Sequence, residues 1–236
     1  MHKAALITGG ARRIGAEIVR ILASLGYNIA LHYNTSFESA KKIKEEVEST
    51  GVKCKLFRCN LAEEKEASGL INKVKEEFPE LTLLINNASV FIRSDILSTK
   101  NDIYDKTFNI NFKAPFILSR DFAQNISRGN IINIIDTKIT KNDYLYSVYT
   151  LSKKILAEFT YMSAIEFSPD IRVNGIAPGL ILPPEGKKNE YLENMAKKIP
   201  LKKKGKIIDV INALKFLLNN EYITGQIIYV SGGQHL

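Results

Sequence analysis

The sequence predicts a doubly wound α/β domain, a parallel sheet with helices on both faces. Three observations carry that expectation. Short apolar runs alternate with amphipathic helical stretches along all 236 residues, with no internal repeat, low-complexity tract or linker. Such alternation requires right-handed crossovers and gives a parallel sheet buried on both sides. A glycine-rich turn joins the first strand to the first helix, and the chemistry-bearing residues gather just after strands. Ligands of open α/β sheets bind at those carboxyl ends.

The first strand is the buried run Ala-Ala-Leu-Ile-Thr at 4–8, which leads into Gly-Gly-Ala-Arg-Arg-Ile-Gly at 9–15. In the helix that follows, Ile14, Ile18, Ile21, Leu22 and Leu25 share one face. Strand, glycine turn and helix start together offer backbone N–H groups and the positive end of a helix dipole to a pyrophosphate. Strands at 28–33 and 53–58 flank a helix at 38–49, and a helix at 63–78 precedes a strand at 81–86. A long helix around 103–125, a strand at 130–136, a helix at 147–167 and a strand at 171–177 come next. A lysine-rich segment over about 180–206 carries no readable pattern, and a helix at 207–219 and a strand at 226–230 complete the alternation.

The strand at 130–136 ends in Asp136, and after a loop come Tyr149 and Lys153. Three proton-handling groups thus meet at one strand end. Tyr149 and Lys153 are four residues apart and share a helix face, where an ammonium would stabilise a phenolate and lower the tyrosine pKa. That would suit acid and base work near neutrality.

Read together, these motifs resemble the short-chain dehydrogenase/reductase family along nearly the whole chain. Thr8 to Gly15 is similar to its Thr-Gly-x-x-x-Gly-x-Gly turn, with Arg13 at the middle glycine. Asn-Asn-Ala-Ser at 86–89 resembles its Asn-Asn-Ala-Gly element, with Ser89 replacing glycine. Asn111 matches the family's helix asparagine, which supports a proton-relay water near the lysine, and Pro178-Gly179 matches the turn flanking the nicotinamide. The resemblance implies a single Rossmann-type domain over 1–236, with a substrate-covering segment at about 180–206. It assigns catalysis to Asp136, Tyr149, Lys153 and Asn111. It places the cofactor against Gly9, Arg12, Arg13, Ile14, Gly15, Tyr33, Asn34, Thr35, Ser36, Asn60, Leu61, Asn87, Ala88, Ser89, Tyr149, Lys153, Pro178 and Gly179.

Cofactor choice is readable at two places. NAD-selective enzymes end the second strand in an acidic residue that binds the ribose hydroxyls, whereas here the turn His32-Tyr-Asn-Thr-Ser36, which includes Tyr33, has no carboxylate before Glu38. Arg12 stands where NADP-preferring relatives place a basic residue against the 2′-phosphate. NADPH is therefore the expected cofactor. Asn60 replaces the family's adenine-side aspartate and can still accept from the adenine amino group.

Asp136 departs from the family's usual serine, which donates a hydrogen bond to a developing oxyanion. An ionised carboxylate would repel that oxyanion but favours a protonated carbon–nitrogen double bond. Arg13, Asp136 and Asn-Ala-Ser-Val-Phe at 87–91 together resemble the pteridine reductase branch, including its dihydromonapterin and dihydrofolate reductases. That resemblance implies that Phe91 stacks on a pterin, that Ser89 bonds the pterin or a cofactor phosphate, and that Arg13 bridges pyrophosphate and pterin edge. With Asp136 and Tyr149 these make the expected substrate site. Offset ring stacking contributes about 0.5–1.5 kcal/mol beyond buried area. Two rival readings stand beside it: a carbonyl or 3-oxoacyl reductase that docks an acidic carrier on its lysines, and a non-catalytic dinucleotide sensor.

The net charge of +8 and pI near 9.3 do not point to nucleic acid, because the lysines lie among glutamates and no recognition motif is present. The densest group is Lys187, Lys188, Lys197, Lys198, Lys202, Lys203, Lys204 and Lys206, read as a solvated face or as attraction for an anionic substrate. No apolar stretch reaches spanning length and no signal-type N-terminus is evident, so a cytoplasmic protein without membrane partners is expected. Cys54 and Cys59 are an odd number of residues apart on one strand and should face opposite ways. With His2, His32 and His235 they form no ligand spacing, so no metal is expected. A homo-oligomer, commonly a tetramer in this family, would use Phe112, Phe116, Ile117, Leu156, Phe159 and Met162.

Overall fold

The computed structural model describes residues 3–184 and 189–236. Seven parallel strands form one sheet in the order β3-β2-β1-β4-β5-β6-β7. They are β1 (Ala4–Ile7), β2 (Asn28–Tyr33), β3 (Cys54–Arg58), β4 (Leu81–Asn86), β5 (Gly129–Ile134), β6 (Ile171–Pro178) and β7 (Ile227–Val230). The order reverses between β1 and β4, which pair directly through Ile7 and Ile85. That reversal opens the ligand crevice outside the strand ends.

Side-chain alternation divides the core. Ala5 and Ile7 of β1, with Ile29 and Leu31 of β2, face α1 (Arg13–Ser24), α2 (Phe37–Glu48) and α9 (Ile207–Asn219). Ala4, Leu6 and Ala30 face the other way, toward α3 (Glu64–Ser68), α4 (Leu70–Glu77) and α6 (Ala114–Asn125). Both faces are dry, which is why β1 and β2 are apolar almost throughout. Helix α1 shows the arrangement in miniature: Ile18 and Leu22 are fully buried, each worth about 1.5–3 kcal/mol against exposure. Cys54 lies in one core and Cys59 in the other, both as free thiols. Burial pushes Cys54 up to about 12 and Cys59 to about 11, so both stay inert.

Three elements differ from expectation. Gly69 divides the helix expected at 63–78 into α3 and α4, because glycine is a poor helix former at mid-helix. The long helix expected at 103–125 is α5 (Asn101–Phe108), a π-helical turn (Asn109–Lys113) and α6. Pro115 has no N–H for the carbonyl of residue 111, and the Ala114 N–H bonds to the Asn109 carbonyl in the wide π pattern. The segment without a readable pattern contains α8 (Asn189–Ala196), whose Leu192 and Ala196 are buried. Lys187 and Lys188 lie outside the described residues. The remaining six lysines of that group are exposed.

Helix α7 (Ser147–Glu166) carries the tyrosine and lysine. Of the six apolar residues expected at a subunit contact, Ile117, Leu156 and Phe159 are spent on the chain's own core. Phe116 and Met162 remain exposed, joined by Leu151, Ile155 and Ile165. No described helix is long and apolar enough to cross a membrane.

Candidate active site

The glycine turn is held from both sides. Thr8 Oγ1 donates to the Ile85 carbonyl and accepts from the N–H groups of Asn87 (2.9 Å) and Ala88 (3.0 Å). Asn87 Nδ2 returns to the Thr8 and Gly9 carbonyls at 2.8 and 3.1 Å. The end of β4 is thereby locked to the end of β1. Gly9 sits at φ +62, and a Cβ on Gly15 would lie 2.3 Å from the Gly9 carbonyl oxygen. No side chain can be added there. Helix α1 starts without a side-chain cap or an acidic residue in its first turn, and Arg12 and Arg13 are exposed beside it. That start suits an anion.

Arg13 occupies the left-handed region at φ +54, the conformation the family's middle glycine would adopt freely. Its guanidinium donates to the Pro183 carbonyl at 2.7 Å, linking the turn to the segment expected to cover the substrate. Around the adenine-side loops, Asn34 and Thr35 are exposed at the end of β2 and Leu61 is buried. Asn60 Oδ1 accepts from the Ala62 N–H at 3.2 Å, and Glu66 accepts from the Asn60 N–H at 2.7 Å. Pro178 ends β6, and the Gly179 N–H bonds to the Val230 carbonyl.

The proton-handling group assembles at the end of β5. Asp136 is extended and its Oδ1 accepts from the Lys138 N–H at 2.8 Å, starting a short 3-10 turn (Thr137–Thr140). This leaves Oδ2 to accept from the Tyr149 hydroxyl at 2.6 Å. Lys153 Nζ donates to the Ile134 carbonyl at 2.8 Å. Burial holds the Asp136 carboxyl above its usual range, against the opposing Tyr149 hydrogen bond. Burial lowers Lys153 to about 8, opposed by Asp136.

The expectation of a lowered Tyr149 pKa is overturned. Burial and then the Asp136 charge push the phenol well above its ordinary value. Helical spacing brings only the lysine one turn away to the tyrosine, whereas in the fold the hydroxyl is bound to a carboxylate that opposes a second negative charge. Tyr149 therefore holds its proton tightly and shares it with Asp136 in a hydrogen bond.

Asn111 is fully buried in the π-helical turn. Its Oδ1 accepts from Ser89 Oγ and the Val90 N–H, and its Nδ2 donates to the Val90 carbonyl and Ser152 Oγ. The amide's hydrogen-bonding capacity is filled, so its side chain ties the 89–90 segment to α7. Ser89 spends its proton on Asn111 and is left as an acceptor, suited to an N–H of a heterocycle but not to a phosphate oxygen.

Phe91 is 40% exposed. It stacks in parallel on Tyr146 at 4.4 Å and meets Tyr149 edge-on at 4.6 Å. Lys138 Nζ, ion-paired with Asp143 at 2.5 Å, lies 4.7 Å from the Tyr146 ring centre. Tyr146, Lys138 and Asp143 carry no signal in the sequence pattern, and His32 is legible there only as part of the second-strand turn and as one of three histidines without ligand spacing. For His32 a signal was available: a lone imidazole inside an otherwise apolar buried strand needs polar partners.

Fold, glycine turn and buried aspartate–tyrosine–lysine group define an oxidoreductase of the short-chain type. Residues 9–235 match the short-chain family model described as enoyl-(acyl carrier protein) reductase, and the chain belongs to the short-chain dehydrogenase/reductase family. Among similar proteins is the 3-oxoacyl-[acyl-carrier-protein] reductase FabG of Staphylococcus aureus, 32% identical over 100% of this chain and 99% of the relative. Similar solved structures include FolM alternative dihydrofolate reductase 1 from Brucella canis complexed with NADP, 33% identical with TM-score 0.92, covering 99% of this chain and 94% of that one. The Brucella suis counterpart in complex with NADP gives 33% and 0.93 over 99% and 95%.

Proposed function

We propose that this chain is an NADPH-dependent reductase of pterins, taking a dihydropterin, dihydromonapterin or dihydrofolate to its tetrahydro form at a ring carbon–nitrogen double bond. One observation carries this reading: the 2.6 Å hydrogen bond between the Tyr149 hydroxyl and the buried Asp136 carboxylate. NADPH, when bound, supplies the hydride. The first turn of α1 with Arg12 and Arg13 would receive its phosphates, and the acid-free end of β2 leaves room for a 2′-phosphate. Lys153 and the Pro178-Gly179 turn would flank its nicotinamide end.

The chain's own residues handle the proton. The Lys138 N–H fixes Oδ1 of Asp136, so Oδ2 faces the phenol. The ring nitrogen beside the reduced carbon takes a proton from Tyr149, Asp136 or a water held near them, and solvent restores a proton to the group that gave it. A carboxylate there favours a cationic imine and disfavours an oxyanion. Phe91, edge-on to Tyr149, forms a wall for a flat heterocycle, and Ser89 accepts from a ring N–H. The two FolM structures, named as dihydrofolate reductases in complex with NADP, support the same reading.

The name of the Staphylococcus aureus relative favours a second reading, reduction of a 3-oxoacyl thioester. Asp136 separates the two. Asp136→Ser should lower the rate with a dihydropterin by about ten- to a thousandfold, the scale of losing an acid–base or electrostatic group, while activity on a simple ketone holds or rises. Full pterin activity in that variant contradicts the proposal. The same reading includes a homo-oligomer, expected as a tetramer, that covers the exposed Phe116, Leu151, Ile155 and Met162.

A further inference from the structure

His32 lies near the end of β2, is only 2% exposed, and touches three parts of the dinucleotide site. Its Nδ1 is 3.0 Å from the Gly9 nitrogen, its Nε2 is 2.9 Å from the Cys59 carbonyl, and its own carbonyl accepts from the Gly10 N–H at 3.0 Å. The Gly9 N–H can only donate, so Nδ1 must present a lone pair. The Cys59 carbonyl can only accept, so Nε2 must carry the hydrogen. Two independent partners thus select one neutral tautomer. Burial, which lowers this imidazole to about 4, keeps it neutral at ordinary pH.

We infer that His32 is a positioning residue for the dinucleotide, setting the glycine turn and the adenine-side loop in one register through its Nε2–H tautomer. The inference rests on the cofactor reading above. Both glycine N–H groups, Gly9 to the ring and Gly10 to the backbone, are turned inward onto β2. They are consumed before any ligand arrives. The anion therefore falls to the first turn of α1, from Arg13 to Gly15. At the other end of the ring, the Cys59 carbonyl immediately precedes Asn60, and the Cys59 N–H bonds back to the Tyr33 carbonyl at 3.1 Å. One side chain spans from the pyrophosphate turn to the adenine-side loop. An apolar residue at this place would leave the Gly9 donor and the Cys59 acceptor without their partner, and both loops would relax independently.

The chain has three histidines, so ring nitrogen-15 spectra can be assigned by comparison with His32→Asn. Unliganded protein should show His32 with a protonated Nε2 and a bare Nδ1. The opposite tautomer overturns the inference without reference to any ligand. The NADPH dissociation constant, measured by fluorescence or calorimetric titration, should rise about tenfold or more in His32→Phe, the scale of one buried hydrogen bond lost. His32→Asn keeps an acceptor for Gly9 but does not reach Cys59, so it breaks the bridge and should weaken binding by about three- to tenfold, less than His32→Phe. In turnover the loss should fall on the NADPH KM and not on kcat. NADPH binding by either His32→Phe or His32→Asn within about twofold of the parent overturns it. If the parent fails to bind NADPH, the cofactor reading fails while the tautomer result still stands on its own. Should His32→Phe not fold, the spectra and His32→Asn remain decisive.

Discussion

The two halves of the site are built on opposite principles. On the cofactor side, at the ends of β1, β2 and β4, the polar groups are already paired with one another: Thr8 with Asn87 and Ala88, His32 with Gly9 and Cys59. On the substrate side, at the end of β5 and the start of α7, buried groups hold displaced pKa values around a single proton. The first region is a rigid cradle with no titration near neutrality. The second is a proton store whose walls are ring stacks and an ion pair. Binding geometry is served by saturation, and proton transfer by leaving one bond, Tyr149 to Asp136, able to exchange.

That contrast can be broken most severely in the cradle. Gly15→Ala would place a methyl 2.3 Å from the Gly9 carbonyl and 2.6 Å from Asn87 Nδ2. NADPH affinity should fall by at least about a hundredfold, the scale of a site displaced by an ångström, as read by calorimetry. Affinity within tenfold of the parent would mean that the turn is not rigid.

In the proton store, Tyr149→Phe should lower turnover of a substrate that needs protonation on its side by about ten- to a thousandfold, and less where water supplies the proton. Combined with Asp136→Ser, the loss should be far smaller than the product of the single losses, because the two residues act as one unit. Multiplying losses would separate them.

Acid distinguishes the regions again. The unfolded His32 takes a proton near 6.5 and the folded one only near 4. Its contribution is therefore complete above 6.5 and lost as pH falls toward 4. The loss is on the order of 3 kcal/mol, from the shift at about 1.36 kcal/mol per unit. Denaturant unfolding between pH 7 and 4 should show a shallower loss in His32→Asn than in the parent. Parallel curves would remove His32 from the acid response.

The smallest effect is expected at the rim. Arg12→Ala removes one exposed cation and should raise the NADPH KM about tenfold while leaving that for NADH little changed. Equal use of both cofactors by the parent would contradict the selection.

The alternation of strands and helices, the helix faces and the gathering of Gly9, Asn87, Asp136, Tyr149 and Lys153 at strand ends were legible because they follow from periodicity and spacing along one chain. The tyrosine's chemistry was not. Spacing placed Lys153 beside Tyr149, but the dominant neighbour, Asp136, lies 13 residues away and is brought in by the turn after β5. The Phe91–Tyr146 stack escaped for a similar reason: it depends on the bridge between Ser94 and Tyr146, a pairing with no local pattern. Helix α8 was hidden by its lysine-rich surroundings, although Leu192 and Ala196 follow helical spacing.

Steady-state rates with NADPH and a panel of dihydrobiopterin, dihydromonapterin, dihydrofolate and an acetoacetyl thioester test the account most directly. A pterin or folate should exceed the thioester in kcat/KM by at least about a hundredfold, the separation expected when a carboxylate replaces an oxyanion donor. The reverse order, with the thioester reduced efficiently and every pterin poorly, would contradict it.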